Sequence, residues 1–353
     1  MIHLSQPRSI LLSLLYLLCC HCTMTSGKIS LVTHTQEISP DDEMIPASTL
    51  KIVSAWMAWH TLGPHFTYQT SLHHCSDGHY LKLSYDPTQK YQDLKKLITP
   101  YNLKHTSLTI IPTGLLEAFH PQWLIEDTTA RYSQPLAPWI NQENTTHTSL
   151  QELSDKLQWQ GQPLRMESQL PDNCRIVSTH RSLPLSEILS SALLHSNNLT
   201  MDSIWITMAE HLSSHPVHSW QQAALINHSW LKHTHPSLGQ GIHIVDGSGL
   251  SRMNLVKPKA MLNILDEMAH DTDFFTWLRA SLPQAGLNGT MKYRFTDQPH
   301  PPIVAKTGTM TGIKSLVGWV IYPNTVTPFV WFEQYIEKAT PDHTILASIS
   351  DDS

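Results

Sequence analysis

From Ser48 onward, apolar residues recur at three-to-four spacing (Leu50, Val53, Ala55, Trp56, Met57) until Gly63-Pro64 interrupts them. That period predicts a buried helix with a glycine-proline stop. Residues 66–145 read differently. Short Thr/Tyr/Leu-rich stretches are broken by Ser76-Asp77-Gly78, Asp86-Pro87 and the prolines from Pro135 to Pro138. Such punctuation predicts a β-rich insertion, with one helix near Tyr91 to Ile98. Residues 146–175 are polar and weakly patterned, and are the best linker candidate. The helical period returns from Ser186 to Leu194 and again from Met201 to Leu212, Gln221 to Lys232 and Pro258 to His270. Near the end, Ile303 to Lys306 and Ser315 to Tyr322 read as strands joined by a turn at Thr311-Gly312, and Thr327 to Tyr335 as a third. Helices lying between early and late segments suggest one discontinuous α/β domain, residues 28–65 and 176–353, interrupted by the insertion.

The N-terminus bears on compartment. Arg8 precedes the apolar run Ile10 to Cys20, and Thr25-Ser26-Gly27 follows as a cleavage site. The run is short for a bilayer span, so residues 1–27 read as a secretory signal peptide directing the chain to the periplasm, with a retained anchor as the alternative. Of five cysteines, Cys75 and Cys174 would remain after cleavage. They could pair in an oxidising compartment, and sequence leaves that open.

Composition narrows the partners. Charged residues are 15% of the 353, with a net charge of -6 and no basic patch, which argues against nucleic acid. Histidine is abundant at 23, yet no His-Glu-x-x-His and no paired Cys/His cluster occurs, and His233-Thr-His235 lacks a nearby carboxylate or thiolate in sequence. No metal-ligand spacing is present, so surface or structural histidine is expected, with no metal or cofactor.

Three short motifs carry candidate chemistry. Ser48-Thr49-Leu50-Lys51 opens the first helix. Serine is a poor nucleophile unless a base takes its proton, and a residue three positions on shares its helix face. Lysine can serve if burial or a neighbouring cation keeps it neutral. Ser-x-x-Lys alone should arise about once per chain by chance. Ser196-Asn197-Asn198 follows the helix ending at His195, where Ser196 could relay a proton and Asn198 could orient groups. An ordinary helix-to-helix turn uses the same residues. Lys306-Thr307-Gly308-Thr309 ends a predicted strand. Its cation and hydroxyls could hold a carboxylate, while Gly308 would let a ligand backbone lie close. The N–H groups of Ser48 and Thr309 could form an oxyanion hole.

The order of the three, on helix start, inter-helix turn and strand end, is the signature of penicillin-binding proteins and class A β-lactamases. Pro46 to Lys51, Asp246-Gly247-Ser248-Gly249-Leu250-Ser251-Arg252, Leu282 to Gly286 with Gly289-Thr290, and Ala305 to Gly308 narrow it further. With these the chain resembles the D-alanyl-D-alanine carboxypeptidase/endopeptidase family of penicillin-binding protein 4, the low-molecular-mass class C penicillin-binding proteins. The resemblance covers most of residues 45–322. It implies a β-lactamase/transpeptidase-like α+β fold, an antiparallel sheet flanked by helices, with a reduced β-rich insertion. It also implies Ser48 as nucleophile, Lys51 as its base, Ser196 as proton relay, and Asn198, Lys306, Thr307, Gly308 and Thr309 as substrate-binding residues. Asp246 and the glycines after it would shape the cleft floor. The implied substrate is a peptidoglycan stem peptide, with β-lactams as covalent inhibitors.

Departures from the family pattern bear on this. The opening helix and first strands are expected to be trimmed, one accessory domain to be absent, and the end after Tyr335 is poorly patterned for a closing helix. Tyr85-Asp86-Pro87 stands where the family tends to carry Gly-Asp-Pro. Two other readings remain: a β-lactamase, whose deacylating glutamate has no convincing counterpart (Glu143 lies in the insertion), and a non-catalytic wall-binding or scaffold protein. Carboxypeptidase against endopeptidase preference, peripheral membrane association and oligomeric state stay open.

Overall fold

A computed structural model describes residues 27–103, 106–140, 149–236, 238–296 and 303–350. The expected signal peptide lies almost wholly outside these residues, and so does Glu143. No helix among the described residues is long and apolar enough to cross a membrane.

The main sheet is antiparallel and has five strands in the order β10-β11-β12-β1-β2. They are β1 (Lys28–Val32), β2 (Glu37–Ile38), β10 (Ile303–Met310), β11 (Ile313–Ile321) and β12 (Val326–Gln334). The opening strands expected to be trimmed are therefore present. Lys28 to Val32 run against Gln334 to Val330, a pairing no local pattern announces. Alternation then sorts side chains onto two faces. Val304, Val317, Trp319, Val330 and Phe332 turn inward to a large core shared with the helices α1 (Leu50–Leu62), α4 (Leu185–His195), α5 (Asn198–Ser213), α6 (Trp220–Thr234), α7 (Pro258–His270) and α8 (Thr272–Ser281). Leu31, Leu316, Phe329 and Trp331 turn outward and are covered by Met291, Phe295, Ile345 and Ile349. The last two belong to a closing helix, α9 (Asp342–Ser350), that the sequence pattern does not suggest.

The insertion carries a second sheet, β6-β5-β4-β3-β7, from β3 (Gln69–Cys75), β4 (Gly78–Lys82), β5 (Leu108–Ile111), β6 (Arg165–Met166) and β7 (Arg175–Arg181). Helix α2 (Tyr91–Ile98) coincides with the expected one. The stretch read as a linker is, in its described part, built into this layer. Helix α3 (Leu150–Leu157) buries Leu153 and Leu157 against α2, and β6 pairs in parallel with β5. Strand β7, which sequence assigns to the main domain, pairs with β3 and carries the chain back. Cys75 and Cys174 are disulfide-bonded beside this junction. The His233-Thr-His235 run also finds a carboxylate that sequence spacing hides, with His235 Nδ1 2.6 Å from Glu267 Oε1.

Candidate active site

Ser48 sits in a 3₁₀ turn, Ala47–Thr49, that leads into α1. With three residues per turn, positions i and i+3 eclipse, so Ser48 lies over Lys51. The turn is pinned from two sides, because Thr49 Oγ1 and Ser315 Oγ both donate to Pro46 O, at 2.6 and 2.7 Å. Two glycines make room for it. A Cβ on Gly249 (φ +79) would lie 2.0 Å from Ala47 O, and one on Gly308 would lie 2.1 Å from Ser315 Oγ. Any side chain at either position would push the turn bearing Ser48 out of place.

Lys51 is wholly buried, and its Nζ meets three oxygens. It donates to Asn198 Oδ1 and Ser248 O, both at 2.6 Å, and lies 2.9 Å from Ser48 Oγ. The amide oxygen and the carbonyl can only accept. In the neutral amine they take both N–H groups, and the lone pair is left facing the Ser48 hydroxyl. Burial holds the Lys51 pKa down at about 8, against the opposing pull of Asp202 and Asp246. A substantial fraction of the amine is thereby neutral near pH 7 to 8.

The joint between α4 and α5 supplies the next pair. Ser196 caps α4 in the left-handed conformation (φ 58), and Asn197 caps α5 by accepting from Thr200 N at 3.0 Å. This turns Ser196 and Asn198 into the cleft. Lys306, buried on β10, donates to Ser196 Oγ at 2.9 Å and to Thr307 O at 3.0 Å. Burial, and then the charge of Lys51, hold Lys306 well below the ordinary lysine value. Thr307 is half-buried and Thr309 exposed on the free edge of β10. Thr307 Oγ1 is 2.7 Å from Thr290 Oγ1. Ser48, Lys51 and Asn198 thus form one hydrogen-bonded group and Ser196 with Lys306 a second on the same cleft, with Thr307, Gly308 and Thr309 as the wall beside them.

Beneath these residues lies a second tier, of which sequence reasoning placed Asp246 at the cleft floor and missed Asp202. Asp202 lies one turn after Asn198 on α5 and accepts from Ser248 N at 2.9 Å, which anchors the residue whose carbonyl binds Lys51. Burial first, then the neighbouring Asp246, push its carboxyl well above the usual range. Asp246 accepts from the N–H groups of Gly249 and Ser251, both at 2.7 Å, and from Asn254 and Trp123, both at 2.9 Å. Trp123 comes from the insertion, so the accessory layer braces the cleft floor. The one available signal for Asp202 was a carboxylate in the mostly apolar run Met201 to Ile206.

Two cavities open from Ser48 and Ser196. One, of about 350 Å³, runs past Asn198, Asp127, Tyr132 and Arg252. The other, of about 470 Å³, passes Thr307 and Thr309 onto the outer face of the sheet.

Comparison with known proteins agrees with this geometry. A stretch of 156 residues is 35% identical to the D-alanyl-D-alanine carboxypeptidase DacB of Haemophilus influenzae, covering 43% of this chain and 32% of that one. The matched stretch therefore spans about a third of that relative's length. The crystal structure of penicillin binding protein 4 (dacB) from Haemophilus influenzae superposes with a TM-score of 0.77 at 19% identity, over 90% of this chain and 92% of that one. A predatory endopeptidase of Bdellovibrio bacteriovorus, acylated by penicillin G and in complex with an immunity protein, superposes at 0.55 and 15% identity, over 91% and 87%. The profile of the D-Ala-D-Ala carboxypeptidase 3 (S13) family matches residues 28–168 and 149–345, nearly all that the structure describes. The chain belongs to the D-Ala-D-Ala carboxypeptidase 3 (S13) family.

Proposed function

We propose that this chain is a serine-type D-Ala-D-Ala carboxypeptidase/endopeptidase of peptidoglycan stem peptides, working through an acyl-enzyme on Ser48. The observation that carries the reading is the Lys51 amine, buried, with its pKa held down at about 8 and 2.9 Å from Ser48 Oγ. Neutral Lys51 takes the hydroxyl proton as Oγ attacks the penultimate D-alanyl carbonyl carbon. The oxyanion is held by the N–H groups of Ser48 and Thr309. As the C–N bond breaks, the leaving amine takes a proton through Ser196, which Lys306 orients. Asn198 holds the acyl-side amide, and Thr307 and Thr309 hold the terminal carboxylate. Water then adds to the ester carbonyl and releases the acid and Ser48. The compartment is the periplasm, where peptidoglycan is met. β-Lactams would acylate Ser48 by the same attack, as the Bdellovibrio relative's acylation by penicillin G suggests.

The test is labelling of the full chain with a fluorescent penicillin beside Ser48→Ala, with intact mass, and D-alanine release from an N-acylated peptide ending in D-Ala-D-Ala. A stable adduct on the wild type alone, with D-alanine released, is expected. No adduct on a folded protein would turn the reading to a non-catalytic wall protein. Many turnovers of penicillin per site would turn it to a β-lactamase.

A further inference from the structure

The larger cavity extends well beyond the reacting atoms. Strand register arranges its wall in rows, because residues paired across adjacent strands share a face. One row is Thr307, Leu316 and Trp331, and the next is Thr309, Lys314 and Glu333. The first row has an apolar floor, with Leu316 and Trp331 both buried. The second carries charge at its centre.

Most of the charged groups here are already engaged. Glu333 is buried, and its Oε1 accepts from Thr340 N at 2.7 Å and Thr340 Oγ1 at 2.9 Å. Arg294 and Asp342 hold each other through the guanidinium Nε, at 3.1 and 3.2 Å to the two carboxylate oxygens. Lys314 differs. It is exposed, and among the described residues its ammonium makes no ion pair, although Glu333 stands opposite on β12. The cavity thus offers an uncommitted cation above a buried apolar floor, reached from Ser48 past the two threonines.

A leaving D-alanine would end at those threonines. A volume of about 470 Å³ matches a ligand of several residues. Neighbouring strands are about 4.8 Å apart and an extended chain advances about 3.3 Å per residue, so Lys314 stands one to two residues beyond the carboxylate held at Thr309.

We infer that this outer-face cavity is a leaving-group subsite for a peptide longer than one D-alanine, and that Lys314 is its specificity-determining residue, pairing with a second carboxylate on the leaving peptide. The inference rests on the acyl-enzyme reading above. A cross-linked stem-peptide dimer has this chemistry: the amine released when Ser48 Oγ bonds to the D-alanyl carbon and the C–N bond breaks carries one carboxylate beside it and others further along.

The test compares the full chain and Lys314→Ala on two substrates, a cross-linked disaccharide-peptide dimer and a monomeric peptide ending in D-Ala-D-Ala, with the second-order rate of penicillin acylation alongside. The wild type is expected to cleave the dimer. Lys314→Ala should lower kcat/KM for the dimer about tenfold more than for the monomer, mainly through KM, and Lys314→Arg should restore most of it. A wild type that is acylated by penicillin yet leaves the dimer intact would overturn the inference and spare the function reading. So would a Lys314→Ala variant with the same dimer-to-monomer ratio as wild type. A folded wild type with no penicillin adduct would overturn both.

Discussion

Asn198→Asp puts a carboxylate where an amide oxygen now accepts from Lys51 Nζ at 2.6 Å. An opposite charge this close raises a lysine pKa by about 1–3 units, which would carry Lys51 from about 8 to between about 9 and 11. The sign follows from the proposed role of Lys51 as a base, since only the neutral amine would accept the Ser48 proton. With the native value about one molecule in ten is neutral at pH 7, and raising the pKa shrinks that fraction tenfold per unit. Below pH 8 both proteins should gain rate tenfold per pH unit, with the variant about 10- to 1000-fold slower. Above pH 8 the wild type levels off while the variant keeps climbing, so the deficit narrows. The assay is the second-order rate of acylation by a fluorescent penicillin from pH 6 to 10. Lost contacts between Asn198 and substrate would lower the rate equally at every pH, so the shape of the profile isolates the electrostatic effect. A variant with the native inflection and a uniformly lower rate would refute Lys51 as the titrating base.

Gly308→Ala forces a methyl against Ser315 Oγ and Pro46 O. It should cost about 1–3 kcal/mol and slow acylation at least tenfold, read by thermal melts and penicillin labelling; a native acylation rate would refute the close approach. Replacing both Cys75 and Cys174 by serine opens a loop of sequence separation 99, and should destabilise the protein by about 2–5 kcal/mol in urea titration. Lys306 is buried with its charge disfavoured, so a bound carboxylate should recharge it. Calorimetry of a D-Ala-D-Ala peptide binding to Ser48→Ala near pH 8, in buffers of different ionisation enthalpy, should register proton uptake, absent in Lys306→Gln. Zero uptake in the Lys306-containing protein would refute the reading that burial disfavours its charge.

Long periodic segments were legible from sequence because their partners are local or generic. The helices from Ser186, Met201, Gln221 and Pro258, and the three late strands, stand within a few residues of their expected bounds. Elements whose reason lies elsewhere in the chain were not legible. β1 is five residues long and finds its partner about 300 positions away. α9 buries only Ile345 and Ile349, too few to mark a period. α8 is separated from α7 by Asp271 alone, which caps the second helix by accepting from Phe274 N at 3.1 Å. The site divides the same way. Ser48, Lys51, Ser196, Asn198 and Lys306 announce themselves because the proposed chemistry calls for those side chains at those spacings. The Ser248 carbonyl that orients Lys51 is backbone, present at every position, and only the folded chain selects it. Trp123 was hidden because nothing in an accessory loop signals a bond to Asp246.

The sheet order has a consequence for how the chain comes to be folded. β1 is held between β2 and β12, and the turn bearing Ser48 is pinned by Ser315 on β11. Neither support exists until residues 303–334 have been made, so the first segments of the domain wait through most of synthesis for their partners. Contacts this distant in sequence close slowly, and the waiting chain exposes unpaired strand edges meanwhile. With such a topology the domain closes only once the last strands have been made. It also means that loss of the last strands would remove the support of the Ser48 turn and leave the sequence around Ser48 untouched.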